Sequence, residues 1–235
     1  MQTSPDMGPT LPSDGRHRLI EIQAEGPKPP LFWIPGGFGS VRMTRLRDFA
    51  ARIGLLGALN SLSQIALKLT LPGVPDFYQG TEAWDLAMVD PDNRRPVDFD
   101  LRRQWLGTTT KWPELAHSWQ DGRIKFALIQ TLLRVRAELS ALFREGDYQP
   151  VELTGPDADR AVAFARGYGK GEIIVIVGRH MGPLTHGGRN WPRPLNVHVT
   201  RNGASAYRNV LNERAIDLSK PLVLPHFPVG VFLKL

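Results

Sequence analysis

The sequence predicts an α+β protein in which helices around a charged loop precede a run of short antiparallel strands. Two stretches, 55–69 and 123–143, repeat apolar residues at three- and four-residue steps, the signature of amphipathic helices. Residues 148–235 break into short β-prone segments separated by turns rich in Gly, Pro and Asn, which predicts an antiparallel β-sandwich. Between the helices a short strand, Val74–Tyr78, opens into a loop crowded with charge. Charge collected on a loop at the C-terminal end of a strand is how a barrel enzyme holds a polar substrate, a sugar or a phosphate.

Residues 1–29 are Pro-, Gly- and Ser-rich with one strand candidate, Arg18–Gln23, and residues 31–40, LFWIPGGFGS, read as a hydrophobic strand entering a glycine loop. In the first helix, about Leu55–Leu69, the residues Leu55, Leu59, Leu62, Ala66 and Leu69 form one apolar stripe, with Asn60, Ser61, Gln64 and Lys68 on the opposite face. Pro72-Gly73 and Gly80 bound the strand 74–78, and the loop beyond it carries Asp85, Asp90, Asp92, Arg94, Arg95 and Asp98. The second helix, about Arg123–Phe143, starts from Asp121 as N-cap and aligns Ile124, Leu128, Leu132, Val135, Leu139 and Leu142. Strands follow at Val151–Leu153, Ala161–Ala165, Ile173–Val177, Leu195–Val199, Ala206–Leu211, Pro221–Leu224 and Val229–Leu233. Three parts result: an irregular leader over 1–43, a helical and loop part over 44–147, and the β domain over 148–235.

Composition narrows the class. The chain has 235 residues, 42% hydrophobic and 9% aromatic, which are globular values. No apolar run approaches the ~20 residues that cross a bilayer, and the N-terminus lacks the basic start and apolar core of a secretory signal. A cytoplasmic protein with no membrane contact is expected. With no cysteine, disulfides, thiolate catalysis and thiolate-bound zinc are excluded. The net charge of +6 is spread over scattered arginines, so no nucleic-acid partner is expected. His180 and His186 flank a Gly-Pro loop without any H-E-x-x-H, and neither a metal nor a cofactor is assigned.

The candidate substrate-binding residues are Asp76, Tyr78, Glu82, Trp84, Asp92, Arg94 and Arg95. Asp76 and Tyr78 sit at the strand end, although alternation turns one of each neighbouring pair away from any site. Glu82 is equally an acceptor for sugar hydroxyls and a partner for Arg94 or Arg95. Trp84 offers a flat face to a sugar ring, while a lone Trp is more often a core residue. Arg94, a planar fork of donors, is the best candidate for substrate contact, with an internal salt bridge a close competitor.

Several runs identify a resemblance: GALNSLSQ (57–64), KLT (68–70), PGVPDFYQGTE (72–82), WDL (84–86) and VDPDNRRPVD (89–98). From about Arg47 to Leu235 the chain resembles the C-terminal part of the malto-oligosyltrehalose synthases, in the α-amylase superfamily. The PG-x-P-x-x-Y-x-G core indicates an amylase-like eighth barrel strand; the VDPDNRRPVDF run is specific to the synthases. The resemblance implies a C-terminal remnant of a (β/α)8 barrel, its last strand and flanking helices, followed by the β-sandwich. It also implies a maltooligosaccharide substrate whose reducing-end α-1,4 link becomes α,α-1,1 in trehalose biosynthesis.

Family members use an Asp nucleophile, a Glu acid/base and a third Asp on earlier barrel strands, and retaining chemistry needs two carboxyls about 5 Å apart. Nothing in residues 1–56 matches those segments. The resemblance therefore implies a chain without the catalytic carboxylates, inactive alone unless another chain supplies the missing barrel. The alternative is a non-catalytic glucan-binding or stabilising fragment. Separately, residues 28–40 resemble the opening strand and oxyanion loop of α/β-hydrolase thioesterases. No G-x-S-x-G follows anywhere, so a thioesterase is the least favoured reading.

Overall fold

The computed structural model of the chain describes residues 40–86, 96–108, 111–201, 206–224 and 227–235. The strand candidate at 18–23 and the thioesterase-like segment at 28–39 lie outside them. Five helices come first: α1 (Ser40–Thr70), α2 (Phe99–Leu106), α3 (Trp112–His117), α4 (Arg123–Glu138) and α5 (Ser140–Glu145). Eight strands follow: β1 (Gln149–Thr154), β2 (Ala161–Tyr168), β3 (Gly171–Gly178), β4 (Leu195–Thr200), β5 (Tyr207–Asn209), β6 (Ala215–Ile216), β7 (Leu222–Leu224) and β8 (Val229–Lys234). The architecture is mixed α+β, with no helix among the described residues long and apolar enough to cross a membrane.

Instead of two stacked sheets, the strands form one sheet in the order β6-β5-β8-β3-β2-β1-β4-β7, every pair antiparallel. The sheet curls like half a barrel, so the expected sandwich is corrected to a single curved layer. The reason lies in β3. Its run Ile173–Val177 is buried on both faces: Ile173, Val175 and Val177 join a core shared with α1, α4 and α5, while Ile174 and Ile176 join a second core inside the curl. A strand buried on both faces reads as a continuous apolar run, not an alternating one. The outer strands β4, β5 and β7 close the inner core with Leu195, Val197, Tyr207, Leu222 and Leu224.

The helical expectations hold at their centres and change at their ends. All of Leu55, Leu59, Leu62, Ala66 and Leu69 are buried, but α1 begins far earlier, at Ser40. One hydroxyl ties it to the sheet, Ser63 Oγ donating to Gly178 O at 2.7 Å, while Thr70 Oγ1 donates within the helix to Ala66 O. The expected helix 123–143 is broken at Leu139, whose φ of −108° and ψ of 36° end α4 and start α5. Asp121 does cap α4, but from one position further out than expected, with Oδ1 accepting from Arg123 N at 2.9 Å while Gly122 holds the N-cap site.

One sequence expectation fails outright. Residues 74–78 belong to no strand or helix, and Val74 is 94% exposed. A barrel strand has its backbone groups satisfied only by parallel neighbours on both sides, and no such neighbours are present among the described residues.

The N-terminal half of α1 docks on the 180–190 loop. Arg52 Nε donates to Gly187 O at 2.8 Å, and the buried Thr185 Oγ1 accepts from Gly188 N at 2.9 Å. Gly188 has a φ of +83°, and a Cβ there would overlap the Arg52 carbonyl. Only glycine allows this approach.

Candidate functional site

The segment from Leu71 to Leu86 carries the candidate residues, and two arginines set where it begins. Arg136 Nη1 donates to Leu69 O at 3.0 Å and its Nη2 reaches Gly73 O. Arg166 is 1% exposed and donates Nη1 to Thr70 O at 3.1 Å, with Nε to Asp147 O and Nη2 to Leu142 O, Phe143 O and Gly146 O. Cations at a helix C-terminus satisfy its orphan carbonyls and oppose its dipole. Burial holds the Arg166 guanidinium below its ordinary pKa, with Arg136 adding repulsion.

Beyond that anchor the chain runs outward. Asp76 and Tyr78 are both exposed, Tyr78 at 54%, and Phe77 turns inward beneath Lys68, whose Nζ lies 4.2 Å from the ring centroid. A turn at 78–81 then reverses the chain, with Thr81 N and Oγ1 both donating to Tyr78 O.

The next residues are built into the framework. Glu82 Oε2 accepts from Arg102 Nε at 3.1 Å, and the same guanidinium donates to Gly80 O and Asp98 O. Glu82 thus pairs with Arg102, while Arg94 and Arg95, the partners weighed from sequence, lie outside the described residues. Asp98 caps α2 by accepting from Leu101 N at 2.8 Å, which explains its place immediately before the helix. Trp84 Nε1 donates to Trp119 O at 2.7 Å, and the two indoles meet edge to face at 6.3 Å.

Lys125, buried in α4, donates Nζ to Ala83 O at 2.9 Å and stands 5.5 Å from the Trp84 ring. Burial pulls its pKa below the ordinary value, while the carboxylates of Asp85 and Glu82 pull upward. Gly122, with a φ of +85°, lets the start of α4 approach Ala83 and Trp84, where a Cβ would sit 3.2 Å from the Ala83 Cβ.

Of the seven sequence candidates, the structure leaves Asp76 and Tyr78 open to solvent and engages Glu82 and Trp84 in the framework. Asp92, Arg94 and Arg95 lie outside the described residues. Sequence reasoning missed Arg102, Lys125, Arg136 and Arg166. Two of these were detectable as cations inside apolar runs, Ile124-Lys125-Phe126 and Ala163-Phe164-Ala165-Arg166. Among the described residues no group of three His, Asp or Glu side chains is placed to hold a metal ion.

This framework has counterparts in known proteins, although no protein-family model matches the chain. Proteins of two Mycobacterium tuberculosis strains that bear the name maltooligosyl trehalose synthase are 43% identical to it over 132 residues. That match covers 54% of this chain and 15% of each relative, so the chain spans a small part of the relatives it matches. A crystal structure of a maltooligosyl trehalose synthase superposes with a TM-score of 0.64 at 29% identity, covering 82% of this chain and 24% of that one. The synthase of Arthrobacter ramosus gives 0.62 at 28% identity, with the same 82% and 24% coverage. These matches make the chain a partial homologue of maltooligosyl trehalose synthase.

Proposed function

We propose that the chain acts as the C-terminal part of a malto-oligosyltrehalose synthase. In this reading residues 44–147 are the C-terminal piece of the α-amylase-type barrel, and residues 148–235 are the β domain behind it. The observation that carries the proposal is the agreement between a 43% sequence match and a TM-score of 0.64 to proteins of the same name. The segment 74–78, without a strand partner among the described residues, adds support, as do the exposed apolar residues Leu46, Phe49 and Ile53, spaced along one side of α1. Such surfaces are covered when neighbouring strands are present.

The activity proposed is that of a (1→4)-α-D-glucan 1-α-D-glucosylmutase acting on maltooligosaccharides in the cytoplasm, without cofactor. Residues Asp76 and Tyr78 form part of one wall of its site, and Asp92, Arg94 and Arg95 are assigned to substrate contact from the sequence alone. The nucleophile and acid/base come from barrel strands that are not among the described residues. Keeping water out while the freed glucose turns is what separates such an isomerase from a hydrolase.

A second reading, a glucan-binding piece without chemistry, is favoured by the exposure of Asp76 and Tyr78 beside a framework that immobilises Glu82 and Trp84. The purified chain incubated with maltohexaose, with reducing ends and free glucose followed together, tests both readings. The expected result is no change in either, with saturation-transfer NMR placing the saccharide against Tyr78. Loss of reducing ends without glucose release would mean that the chain performs the reaction alone. Absence of any saccharide contact at Tyr78 in a folded sample would remove this wall from the site.

A further inference from the structure

We propose that a polar cleft at one end of the sheet is a second saccharide site, taking a short neutral oligosaccharide. The cleft has a volume of about 630 Å³ and is lined by the β2–β3 hairpin, the start of β1, the residue after β4 and the end of β8. It shares no residue with the 71–86 segment, and its ligand class follows from its own side chains, so the inference does not rest on the synthase reading.

A continuous chain of hydrogen bonds fixes the polar groups of one wall. The phenol of Tyr207, itself 1% exposed, donates to Glu172 Oε1. Arg201 Nη2 donates to Glu172 Oε2 at 2.5 Å, and its Nη1 donates to Gln149 Oε1 at 3.1 Å. Gln149 Nε2 donates to Asp147 Oδ2 at 2.5 Å, and Asp147 Oδ1 accepts from Gly167 N at 2.7 Å. Each member is thereby held in one orientation, yet capacity remains. A carboxylate offers about four lone-pair positions and a guanidinium five N–H donors, so the bonds among the described residues leave acceptor and donor capacity on Glu172, Asp147 and Arg201. Hydroxyl groups, which both give and accept, suit such a mixed surface.

Beside this wall stands Tyr168, 46% exposed. Its hydroxyl donates to Glu145 Oε2 at 2.9 Å, so the ring is anchored at its polar tip and presents an apolar face. The glycines at 167, 169 and 171 keep the neighbouring floor free of side chains. A flat ring next to oriented amide, carboxylate and guanidinium groups is the combination that receives a pyranose, whose ring faces are apolar and whose rim is hydroxylated.

Charge decides against the other ligand class. Lys170 and Lys234 invite an anion, but the carboxylates of Asp147 and Glu172 line the same space, and Glu172 already neutralises Arg201. An anion entering here meets two like charges, and among the described residues the two lysines that would attract it are exposed to solvent, where their pull is screened. A neutral ligand meets no such opposition.

The test is an ¹H–¹⁵N NMR titration of the full chain with maltoheptaose, cellohexaose and inorganic phosphate in parallel. Saturable shifts of the Gly167, Gly169 and Gly171 amides with either saccharide are the expected result, and the two sugars distinguish an α-linked from a β-linked ligand. Tyr168→Ala and Gln149→Ala, both exposed positions, each weaken that binding about tenfold while melting temperature stays unchanged. Tyr78→Ala leaves these shifts intact, so failure at the 71–86 segment and failure here are read separately. Shifts with phosphate alone, shifts confined to residues 76–84, or no shift with any probe at about 20 mM would overturn the assignment.

Discussion

Arg166, on β2, donates through Nη1 to the carbonyl oxygen of Thr70 at 3.1 Å, joining the middle of the sheet to the last residue of α1. The two positions are 96 residues apart in sequence. Among the described residues no carboxylate is bonded to this buried guanidinium; its acceptors are all carbonyls, most of them at helix ends. It therefore acts as a common C-terminal cap for α1 and α5.

Replacing this residue has a definite cost. Arg166→Met strands several buried carbonyls and lowers stability by about 3 kcal/mol. Arg166→Lys recovers little, because one ammonium cannot reach acceptors spread over a fork. Urea denaturation of both variants measures this; a loss under about 1 kcal/mol for Met would mean that water replaces the fork.

The α1 docking site gives a sharper contrast between two glycines. Gly188→Ala drives a Cβ into the Arg52 carbonyl at a left-handed backbone position, whereas Gly182→Ala meets nothing within 4 Å. The first is expected to destabilise by about 2 kcal/mol or more and the second by under about 0.5 kcal/mol. Equal thermal shifts for the two would show that the 180–190 loop simply moves aside.

Acid should loosen the connection between the sheet's first and fourth strands. Asp157 receives both arms of Arg193, at 2.8 and 2.9 Å, and the Asn196 amide at 2.9 Å. The Arg193 hydrogen bonds draw its pKa down to about 2. A carboxylate with a depressed folded-state pKa stabilises above the unfolded value near 4, and that contribution disappears as pH falls from about 4 to about 2. Because Arg193 is half-exposed, we expect ~1–2 kcal/mol after solvent screening. Asp157→Asn should remove that portion of the pH dependence, which denaturation midpoints at pH 6, 4 and 2.5 reveal.

The candidate residues at 76–84 divide into two kinds by their effect on stability. Tyr78→Ala is expected to leave stability within about 0.5 kcal/mol while reducing maltohexaose binding. Trp84→Phe loses the bond to Trp119 O and costs about 1 kcal/mol. Should Tyr78→Ala destabilise more than Trp84→Phe, Tyr78 belongs to the framework and not to a binding wall.

The apolar stripes were legible because burial follows helical period: Leu59, Leu62, Ala66 and Leu69 carry their placement in their spacing. Each of the strand segments expected at 151–233 is present, with only the short β6 unforeseen. What could not be read was how the sheet closes. The continuous run at 173–177 signals burial on both faces but leaves open whether a second sheet or the same one covers it. The strand expected at 74–78 failed for a related reason, since strandedness depends on neighbours that local sequence does not encode. Glu82 looked like a substrate ligand because its partner, Arg102, lies twenty positions away, beyond any local spacing rule.

The sheet's order places β8 between β5 and β3, so six residues near the end of the chain fill a slot in its interior. Val229 and Val231 reach the helical core while Phe232 fills the inner one. During synthesis these residues emerge after the other seven strands of the sheet, and until they arrive β3 has an open edge and both cores lack a wall. The nascent protein must therefore wait, with Ile173–Val177 exposed, in a state that invites pairing with other chains. Its vulnerability to aggregation is greatest in that interval, and a chaperone that shields β3 would act before any ligand could.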